Sequence, residues 1–405
     1  MKELLVGIDW SQSHYDIAVV APNGALLTQF RIAKTATQFL LFAEKIDQFG
    51  VPTPNCRIGL ETAHNILIDF LWARQYAVYV IPPSIVKSSR GRFGNSGAYT
   101  DAKDAHLIAD LLRTDRERFA PWRPDSEHLM KMKTKLGHIA HLTKLITRQT
   151  NRLRSILIRV YPQILNAFKD LDVFIVLHLL AAFPTASALA DLSYADFAAF
   201  CRSHRCHRMD WIMTWHSRLH QPQPPVQSTL AAAYQDEIIF IAQQLLSLVR
   251  EKKQALQQVQ LLFQQHSDQH IFASLPGAGD LLQPKLLVMF GEDRARFPSP
   301  KDIRSLAGTC PVTKQSGKRR RIQFRRACNH SFRETAQQFA VTSVQQADWA
   351  ATYFISALSR GLRKNHAYRC VANRWLGIIW KMWQTHQPYD EAYHLKQIHK
   401  QRRPA

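Results

Sequence analysis

The 405-residue sequence predicts an α/β region at the start of the chain followed by an all-α remainder. Short apolar runs, separated by turn residues, alternate with helical patterns over about the first 85 residues. A long helical repeat then runs from 129 to 160. Hydrophobic residues form 46% of the chain. This length and composition are sufficient for about two or three domains with hydrophobic cores.

The first region is predicted to contain a mixed sheet covered by helices. Three consecutive strands joined by short breaks are followed by strand–helix alternation, a pattern typical of such sheets. The strands are expected at 2–9, 15–22, 24–33, 55–61 and 77–82, and the helices at 36–49 and 64–76.

Four carboxylates stand at the ends of predicted elements, where α/β sheets usually carry functional residues. Asp9 closes the first strand and Glu61 closes the fourth. Asp101 and Asp104 begin the helical stretch TDAKDAHLIADLL, and residues three apart face the same side of a helix. These two acids either offset the dipole of a solvated helix N-terminus or hold a divalent metal ion. Three other acids are expected to be ordinary surface or capping residues: Asp16, Asp69 and Asp110.

The segment KSSRGRFGNSGAYT, residues 87–100, is predicted to be a mobile and positively charged loop. It contains three glycines, three serines and three basic residues, and it leads directly into the helix of Asp101. A basic loop beside a carboxylate cluster suits a phosphate-bearing substrate, and Arg90 and Arg92 are therefore candidate nucleic-acid contacts.

Residues 129–160 carry a heptad seam of about four and a half repeats, which predicts a coiled coil or a long helix hairpin. The span holds eight Lys or Arg and no acids. Its partner is either a second copy of the chain or another helix of the same chain, and the sequence leaves both open. The seam is Leu129, Met132, Leu136, Ile139, Thr143, Ile146, Thr150, Leu153, Leu157 and Val160. Its candidate nucleic-acid contacts are Lys144, Arg148, Arg152 and Arg154.

The region that follows is predicted to be helical and carries weaker motifs. CRSHRCH, 201–207, offers Cys201, His204, Cys206 and His207. Zinc sites usually use two well-separated ligand pairs, so this crowding disfavours zinc. QPQPP, 221–225, is expected to be a stiff linker, and a long helix is expected over 229–266.

The last region combines a glycine turn with a basic cluster. LPGAG, 275–279, resembles the turn of a helix-hairpin-helix motif, whose free N–H groups contact phosphate; a plain helix turn is the alternative. Ser316 and Gly317 precede a segment, 318–326, in which six of nine residues are basic. Ile322, Gln323 and Phe324 interrupt the basic run, as a strand that alternates its faces would. A localisation signal or a solvated charge run is the alternative. The candidate nucleic-acid contacts are Lys318, Arg319, Arg320, Arg321, Arg325 and Arg326.

The charge balance indicates a polyanionic partner. Lys and Arg number 53 against 31 acids, a net charge of +22, and nucleic acid is the first candidate. A membrane surface is the rival, but no run of about 18 apolar residues is present and MKELLVGIDW is not a secretory signal. Six cysteines without a CxxC pair favour a reducing, cytoplasmic location.

The order of the four acids on a sheet-and-helix scaffold resembles the ribonuclease-H-like (RNase H-like) nuclease fold, especially its RuvC-like resolvase branch. Three blocks, GIDWSQ, GLETAHN and TDAKDAHLIADLLR, resemble the acidic blocks of the DEDD transposases of insertion sequences, relatives of the Piv-type DNA invertases. The blocks LPGAGDLLQPKLLVMFGED, KQSG and RRACNHSFRETAQQFA agree with the C-terminal part of that family. The resemblance covers 3–160 and 270–385, and GTCP at 308–311 departs from the family pattern.

The resemblance implies a DNA recombinase acting on donor and target DNA. Asp9, Glu61, Asp101 and Asp104 would bind one or two Mg²⁺ ions, and Ser316 would form a covalent phosphoserine link to DNA. It also implies a bridge RNA encoded by the element. The assembly would be a dimer or tetramer in which the serine of one subunit joins the acidic site of another. The cell would be bacterial or archaeal, with the protein in the cytoplasm and nucleoid-associated when acting.

Five parts are predicted: a RuvC-like catalytic domain (1–125), a basic coiled coil (126–165), a helical linker region (166–269), a C-terminal transposase domain carrying the serine (270–385) and a basic tail (386–405). Two other functions stay open. A hydrolytic nuclease resembling a Holliday-junction resolvase would use water as the nucleophile and leave Ser316 structural. A non-catalytic nucleic-acid-binding scaffold would use the acids only to cap helices.

Overall fold

The chain folds into two compact units, Met1–Pro124 and Asp125–Ala405, in a computed structural model. The structure describes residues 2–63, 65–93, 100–222, 226–317 and 319–402. The first unit is α/β and the second is mostly helical, as the sequence predicts. The finer division into five parts remains a prediction.

A five-stranded mixed sheet forms the centre of the first unit. The strands are β1 (Leu4–Trp10), β2 (His14–Val20), β3 (Leu26–Ala33), β4 (Cys56–Leu60) and β5 (Ala77–Val80). The helices are α1 (Ala36–Asp47), α2 (Ile66–Ala73), α3 (Pro83–Ser89) and α4 (Asp101–Asp115). The sheet order is β3-β2-β1-β4-β5, with β1 antiparallel to β2 and parallel to β4. Each strand and helix predicted in this region is therefore confirmed, with ends displaced by a few residues.

Two glycines allow α4 to pack very close to the sheet. Gly7 of β1 and Gly59 of β4 are paired in the parallel register. A Cβ atom on Gly7 would lie 2.0 Å from the carbonyl oxygen of Ala105, and one on Gly59 would lie 2.8 Å from a methyl carbon of Ile108. The lack of side chains at these positions lets the first turns of α4 lie beside the ends of β1 and β4.

The segment predicted to be a loop at 87–100 is partly helical, and this expectation was wrong for 87–93. Helix α3 extends to Ser89, and a 3-10 turn follows at Arg90–Phe93. Prolines at the first turn of α3 favour its start, and fully buried Val86 anchors it against the core. Residues 94–99 of the predicted loop lie outside the described residues.

The second unit is organised around two long antiparallel helices, α5 (Glu127–Val160) and α11 (Ser228–Gln264). Lys135 bonds to Gln258, whereas Arg152, farther along α5, pairs with Glu237 at 2.7 Å. The heptad seam therefore packs against a helix of the same chain, which is the helix-hairpin alternative. Thr143 of the predicted seam is exposed and Leu142 is buried instead, because a straight helix drifts from a strict seven-residue repeat.

Short helices follow α5 and form their own apolar cluster with the facing part of α11. They are α6 (Pro162–Ala167), α7 (Phe174–Ala182), α8 (Ala186–Ala190), α9 (Tyr194–Ser203) and α10 (Met209–Leu219). Cys201 is fully buried on α9, and burial raises the pKa of its thiol to about 12. Within the described residues, the Cys and His of CRSHRCH do not form a metal-ligand group. Residues 223–225 of the predicted linker lie outside the described chain.

The C-terminal part packs around a core that includes Trp375 and Trp383, both fully buried. Its helices are α12 (Gln269–Ala273), α13 (Gly279–Phe290), α14 (Pro300–Leu306), α15 (His330–Ser343), α16 (Asp348–Ser359), α17 (Lys364–Thr385) and α18 (Glu391–Arg402). In the predicted hairpin turn, Gly277 has φ +77 and lies against the backbone of Thr342, where a Cβ atom would approach to 2.9 Å. This glycine therefore has a packing role. No helix of the described chain is both long and apolar enough to cross a bilayer.

A two-stranded antiparallel hairpin, β6 (Val312–Ser316) and β7 (Arg319–Gln323), interrupts these helices. Its second strand, β7, lies within the basic segment 318–326 that the sequence predicts to be a strand. Between the two strands, Gly317 adopts a left-handed φ of +55, which suits a tight turn. Lys318, a predicted nucleic-acid contact, lies outside the described residues.

Candidate active site

Asp9 and Glu61 lie at the same edge of the sheet. Ile8 of β1 and Leu60 of β4 are paired in a parallel register, and Asp9 and Glu61 are the next residues along the chain. Because both strands run in the same direction, their carboxyl ends bring Asp9 and Glu61 side by side. This is the placement that the sequence predicts for acids at strand ends.

Asp101 and Asp104 occupy the first turn of α4. The hydroxyl of Thr100 caps this helix by accepting a hydrogen bond from the backbone N–H of Lys103 at 3.3 Å. Asp101 is exposed, whereas Asp104 is buried with 8% of its surface accessible. The close packing of α4 on Gly7 and Gly59 explains why a helix-start carboxylate reaches the strand ends. We call Asp9, Glu61, Asp101 and Asp104 the acidic tetrad.

The charges of the acidic tetrad interact with one another. Burial, followed by the charges of Glu61, Asp104 and Asp101, raises the pKa of Asp9 to about 7. Burial and the charge of Asp104 also raise the pKa of Glu61, while the nearby Arg90 guanidinium opposes that rise. Each shift is the response of a carboxylate to burial first and to neighbours of the same sign second. The structure therefore brings together the four acids that the sequence singles out.

The four carboxylates offer hard oxygen ligands of the kind that Mg²⁺ prefers. Their mutual repulsion is relieved when a divalent cation lies between them, so the donor set fits such an ion. Among the described residues, however, no three members of the tetrad have ligand atoms within 4.8 Å of one another. Asp104 is instead paired with an arginine.

That arginine is Arg90, whose guanidinium donates two hydrogen bonds to the carboxylate of Asp104. Its Nε donates to one carboxylate oxygen at 3.1 Å and its Nη2 donates to the other at 2.6 Å. Arg92, two residues farther on, instead pairs with Asp110 and Asp115 along the same helix. Both arginines are engaged with α4 in the described chain, and their predicted contact with nucleic acid remains a prediction.

A second group of ligand-type side chains, which the sequence analysis missed, adjoins the tetrad. His14, Asp16 and exposed Asp101 place ligand atoms within 4.8 Å of one another. His14 Nε2 lies 3.1 Å from a carboxylate oxygen of Asp16 and 3.8 Å from one of Asp101. Asp16 is only 6% exposed and accepts two hydrogen bonds from Arg31, each of 3.1 Å.

The expectation that Asp16 is an ordinary surface residue was therefore wrong. Asp16 is paired with Asp9 across the antiparallel β1–β2 ladder, so the two share a face of the sheet. The signal lay in the period-two pattern of β2, where His14 and Asp16 point to the side covered by α4. The expectation of an ordinary surface residue holds for Asp69, which is exposed on α2. Asp110 is half-buried and forms ion pairs with Arg92 and Arg113.

Ser316 lies in a different environment, on the exposed hairpin of the second unit. We call strands β6 and β7 the serine ribbon. Ser316 is paired with Arg319, and every described side chain from Thr313 to Gln323 is exposed. Directly opposed residues of an antiparallel pair share a face, and neighbours along a strand alternate. One face therefore carries Ser316, Lys314, Arg319 and Arg321, and the other carries Gln315, Thr313, Arg320 and Ile322.

The other predicted basic contacts have varied surroundings. Lys144 and Arg148 are exposed on α5 and have no ion-pair or hydrogen-bond partner within the described part of the chain. Arg152 is occupied by Glu237, and Arg154 donates weakly to the carbonyl of Lys169 at 3.5 Å. At the base of the serine ribbon, Arg325 donates to the carbonyl of Cys310 at 3.4 Å, and Arg326 is exposed.

Two protein-family models match the chain. The model of the IS110 type of DEDD transposase, described as a transposase, matches residues 6–162. The model described as the transposase IS116/IS110/IS902 family matches residues 269–354. The first match contains the whole acidic tetrad, and the second contains Ser316.

Several curated proteins are similar to the chain over most of its length. The "Mini-circle putative transposase for IS117" of Streptomyces coelicolor is 29% identical, with 95% of each chain covered. The "Insertion element IS116 uncharacterized 44.8 kDa protein" of Streptomyces clavuligerus is 24% identical, with 96% of each covered. The "Insertion element IS900 uncharacterized 42 kDa protein" of Mycobacterium paratuberculosis is 25% identical, with 81% of this chain and 82% of that protein covered.

Proposed function

The chain belongs to the IS110-type DEDD transposases of insertion sequences, and from this premise we propose that it cuts and rejoins DNA through a serine-linked intermediate. In this proposal the first unit is an RNase H-like domain of the RuvC-like type. The second unit supplies the nucleophile, Ser316, and a basic surface for nucleic acid.

The convergence of the acidic tetrad carries this proposal. Asp9 responds electrostatically to the other three acids, which come from a second strand and a helix. Acids that served only to cap helices would gain nothing from repelling one another in a half-buried cluster. A cluster of this kind is typical of sites where perturbed carboxylates have a chemical task.

Asp9, Glu61, Asp101 and Asp104 would together hold one or two Mg²⁺ ions. When bound, such ions supply positive charge that stabilises the attacking and leaving oxygens of a phosphodiester. The chain's own contribution is to fix the carboxylates on rigid elements, with the backbone N–H of Trp10 donating to Asp9 at 3.0 Å. Rigid placement matters because misplacement by about 1 Å lowers reaction rates strongly.

Ser316 is proposed as the nucleophile that attacks a DNA phosphate. Its hydroxyl loses a proton, its oxygen forms the new bond to phosphorus, and the bond from phosphorus to the departing strand breaks. The departing strand takes up a proton and leaves as a hydroxyl. Lys314, Arg319 and Arg321 share the face of Ser316, so their charges would hold the phosphate and stabilise the negative charge that develops on it.

The partners proposed are donor and target DNA, a bridge RNA and further copies of the chain. The net charge of +22 and the exposed Lys144 and Arg148 on α5 support a nucleic-acid partner. A homo-oligomer, dimer or tetramer, would let the serine of one copy act with the acidic tetrad of another.

The test is isolation of the protein–DNA adduct from the full chain. The chain is incubated with Mg²⁺, DNA carrying the ends of its element and RNA transcribed from the element, and the denatured products are mapped by mass spectrometry. We expect DNA attached to the peptide containing Ser316, no adduct in Ser316→Ala, and adduct retained in Thr313→Ala on the opposite face of the ribbon.

Two outcomes would contradict the proposal. Normal cutting and rejoining by Ser316→Ala would exclude the serine as nucleophile, and DNA cleavage without any adduct would favour the hydrolytic nuclease. A reaction without added or co-purified RNA that proceeds at the full rate would remove the RNA partner alone.

A further inference from the structure

One member of the acidic tetrad, Asp104, is paired with a cationic side chain of the same protein, Arg90. The guanidinium of Arg90 donates to both oxygens of Asp104, a planar two-bond arrangement that gives strong and directional pairing. The two side chains are 30% and 12% exposed, so water screens this pair only in part. The charge of Arg90 also acts on Glu61. Arg90 thus partly balances the repulsion within the tetrad.

Arg90 is held there by a segment that lies along α4. We call Arg90–Phe93 the strap. Arg92 pairs with Asp110 and Asp115, and the ring of Phe93 stacks on His106 with centroids 4.6 Å apart. The strap therefore contacts successive turns of α4 through three side chains, and Arg90 is the one nearest to the tetrad. The strap has other anchors, so Arg90 can leave Asp104 without the strap detaching.

We propose that Arg90 is a displaceable counter-ion of the acidic tetrad. It occupies the oxygens of Asp104 in the metal-free chain, a divalent cation competes with it for those oxygens, and the displaced guanidinium becomes available to a DNA phosphate beside the metal. This inference rests on the proposed assignment of the tetrad as the metal site.

Competition follows from the chemistry of the shared ligand. A carboxylate that accepts two hydrogen bonds from a guanidinium directs its in-plane lone pairs to arginine, and those lone pairs are the ones that a metal ion coordinates. Arginine does not lose its proton in proteins, so it yields the site only by moving.

A purely structural ion pair makes the opposite prediction. If Arg90 served only to hold the first turn of α4 in place, its removal would loosen Asp104 and weaken metal binding. If Arg90 competes with the metal, its removal strengthens metal binding. The sign of the change in metal affinity therefore separates the two roles.

The experiment is a titration of the full metal-free chain with Mn²⁺, followed by calorimetry and by the electron paramagnetic resonance of unbound Mn²⁺. We expect Arg90→Gln to bind Mn²⁺ about tenfold more tightly, the effect of removing one charge-assisted competitor. Arg90→Lys keeps the charge but loses the two-bond fork, and its affinity should lie between those of wild type and Arg90→Gln.

Arg92→Gln is the matched control, since it removes the neighbouring strap arginine from Asp110 and Asp115, outside the tetrad. Its Mn²⁺ affinity should equal that of wild type. Circular dichroism of each metal-free variant checks folding, and Arg90→Lys carries the test if Arg90→Gln does not fold. Equal or weaker Mn²⁺ binding by both Arg90 variants than by Arg92→Gln would overturn the inference.

The same titration separates this inference from the proposed function. If Asp9→Asn and Asp104→Asn leave Mn²⁺ binding unchanged, the tetrad is not the metal site and the proposed function fails with the inference. If those variants lose Mn²⁺ but the Arg90 variants do not bind it more tightly, only the role of Arg90 is wrong.

Discussion

The acidic tetrad and the serine ribbon are both strongly charged, but the chain balances their charges differently. The tetrad is partly buried and has partners within the chain, with Arg90 on Asp104 and His14 near Asp101. The ribbon is exposed on both faces, and none of its described basic side chains forms an ion pair. Lys314 and Arg321 even lie directly opposite each other, which destabilises a strand pair.

This difference indicates which kind of ligand would stabilise each region. A charge cluster with internal counter-ions can fold alone and needs a ligand only for its chemistry. An isolated two-stranded hairpin is marginally stable by itself, and like charges across it lower that stability further. The serine ribbon therefore gains most from a polyanion bound to it, whereas the tetrad gains most from a cation.

The largest expected effect tests whether the tetrad depends on close helix–sheet packing. In Gly7→Ala the new Cβ would lie 2.0 Å from a backbone oxygen of α4, so the helix must move. We expect the free energy of unfolding to fall by about 3 kcal/mol, which is within the range for substitutions that overpack a core. Mn²⁺ binding and adduct formation should both be lost. Thermal melting and the Mn²⁺ titration measure these effects.

Gly137→Ala provides the contrast in the second unit. Gly137 lies within α5 with nothing within 4 Å of its added Cβ, so alanine should stabilise that helix by about 0.5–1 kcal/mol and leave Mn²⁺ binding unchanged. If Gly7→Ala behaves in the same way, the packing of α4 on Gly7 does not position the tetrad.

The next effect in size concerns the two faces of the serine ribbon. Arg321 shares the face of Ser316, and its neighbour Arg320 lies on the other face, so the two substitutions remove the same charge from opposite sides. We expect Arg321→Ala to lower the yield of the covalent adduct about tenfold, the cost of one charged phosphate contact. Arg320→Ala should lower it by a much smaller factor.

The salt dependence of DNA binding sharpens this comparison. Each arginine that contacts a phosphate contributes about one unit to the slope of log affinity against log salt concentration, so Arg321→Ala should lower that slope more than Arg320→Ala does. Equal losses of adduct and slope in the two variants would mean that the ribbon has no preferred face toward DNA.

The two regions also differ in how far the sequence predicts them. Strand ends and helix starts are local features, so Asp9, Glu61, Asp101 and Asp104 were recognisable as candidates before any contact was known. The period-two pattern of β2 carries the signal for Asp16, but the pairing of Arg90 with Asp104 depends on the path of the strap, which no local pattern encodes. The second strand of the serine ribbon was predicted from the apolar interruption of its basic run, but the first strand and the two faces follow only from the pairing of Ser316 with Arg319.

The α5 seam shows the same limit. Its apolar spacing predicted the helix but could not identify the partner, because a helix of the same chain and a helix of a second copy bury the same residues. The exposure of Thr143 and burial of Leu142 follow from the drift of a straight helix away from the strict seven-residue repeat that the prediction assumed. The roles of the tetrad, Ser316 and the basic contacts remain predictions that the experiments above address.

The smallest expected effect is a pH dependence that belongs to the tetrad and has no counterpart in the ribbon. Because the folded chain raises the pKa of Asp9 to about 7 from an ordinary value of 3.8, the folded state binds more protons than the unfolded state between those values. The stability of the metal-free chain therefore falls as pH rises through this window, and the loss is complete above about pH 7. Asp9→Asn removes the titrating group, so the variant should not show this loss of stability. Its advantage in melting temperature over wild type should grow from pH 5 to pH 7 and then stay constant, at roughly 4 °C.

The measurement is thermal melting in the presence of a chelator across pH 5 to 8, with Asp69→Asn as the matched control because Asp69 is an exposed acid of the same unit. Asp69→Asn should follow wild type at every pH. Excess Mg²⁺ should shrink or reverse the advantage of Asp9→Asn, because a bound cation offsets the repulsion in wild type and the variant has lost a ligand. An advantage that is the same at all pH values, or that Mg²⁺ leaves unchanged, would mean that the charge of Asp9 is already balanced within the chain, and the contrast between the two regions would then lie only in their exposure.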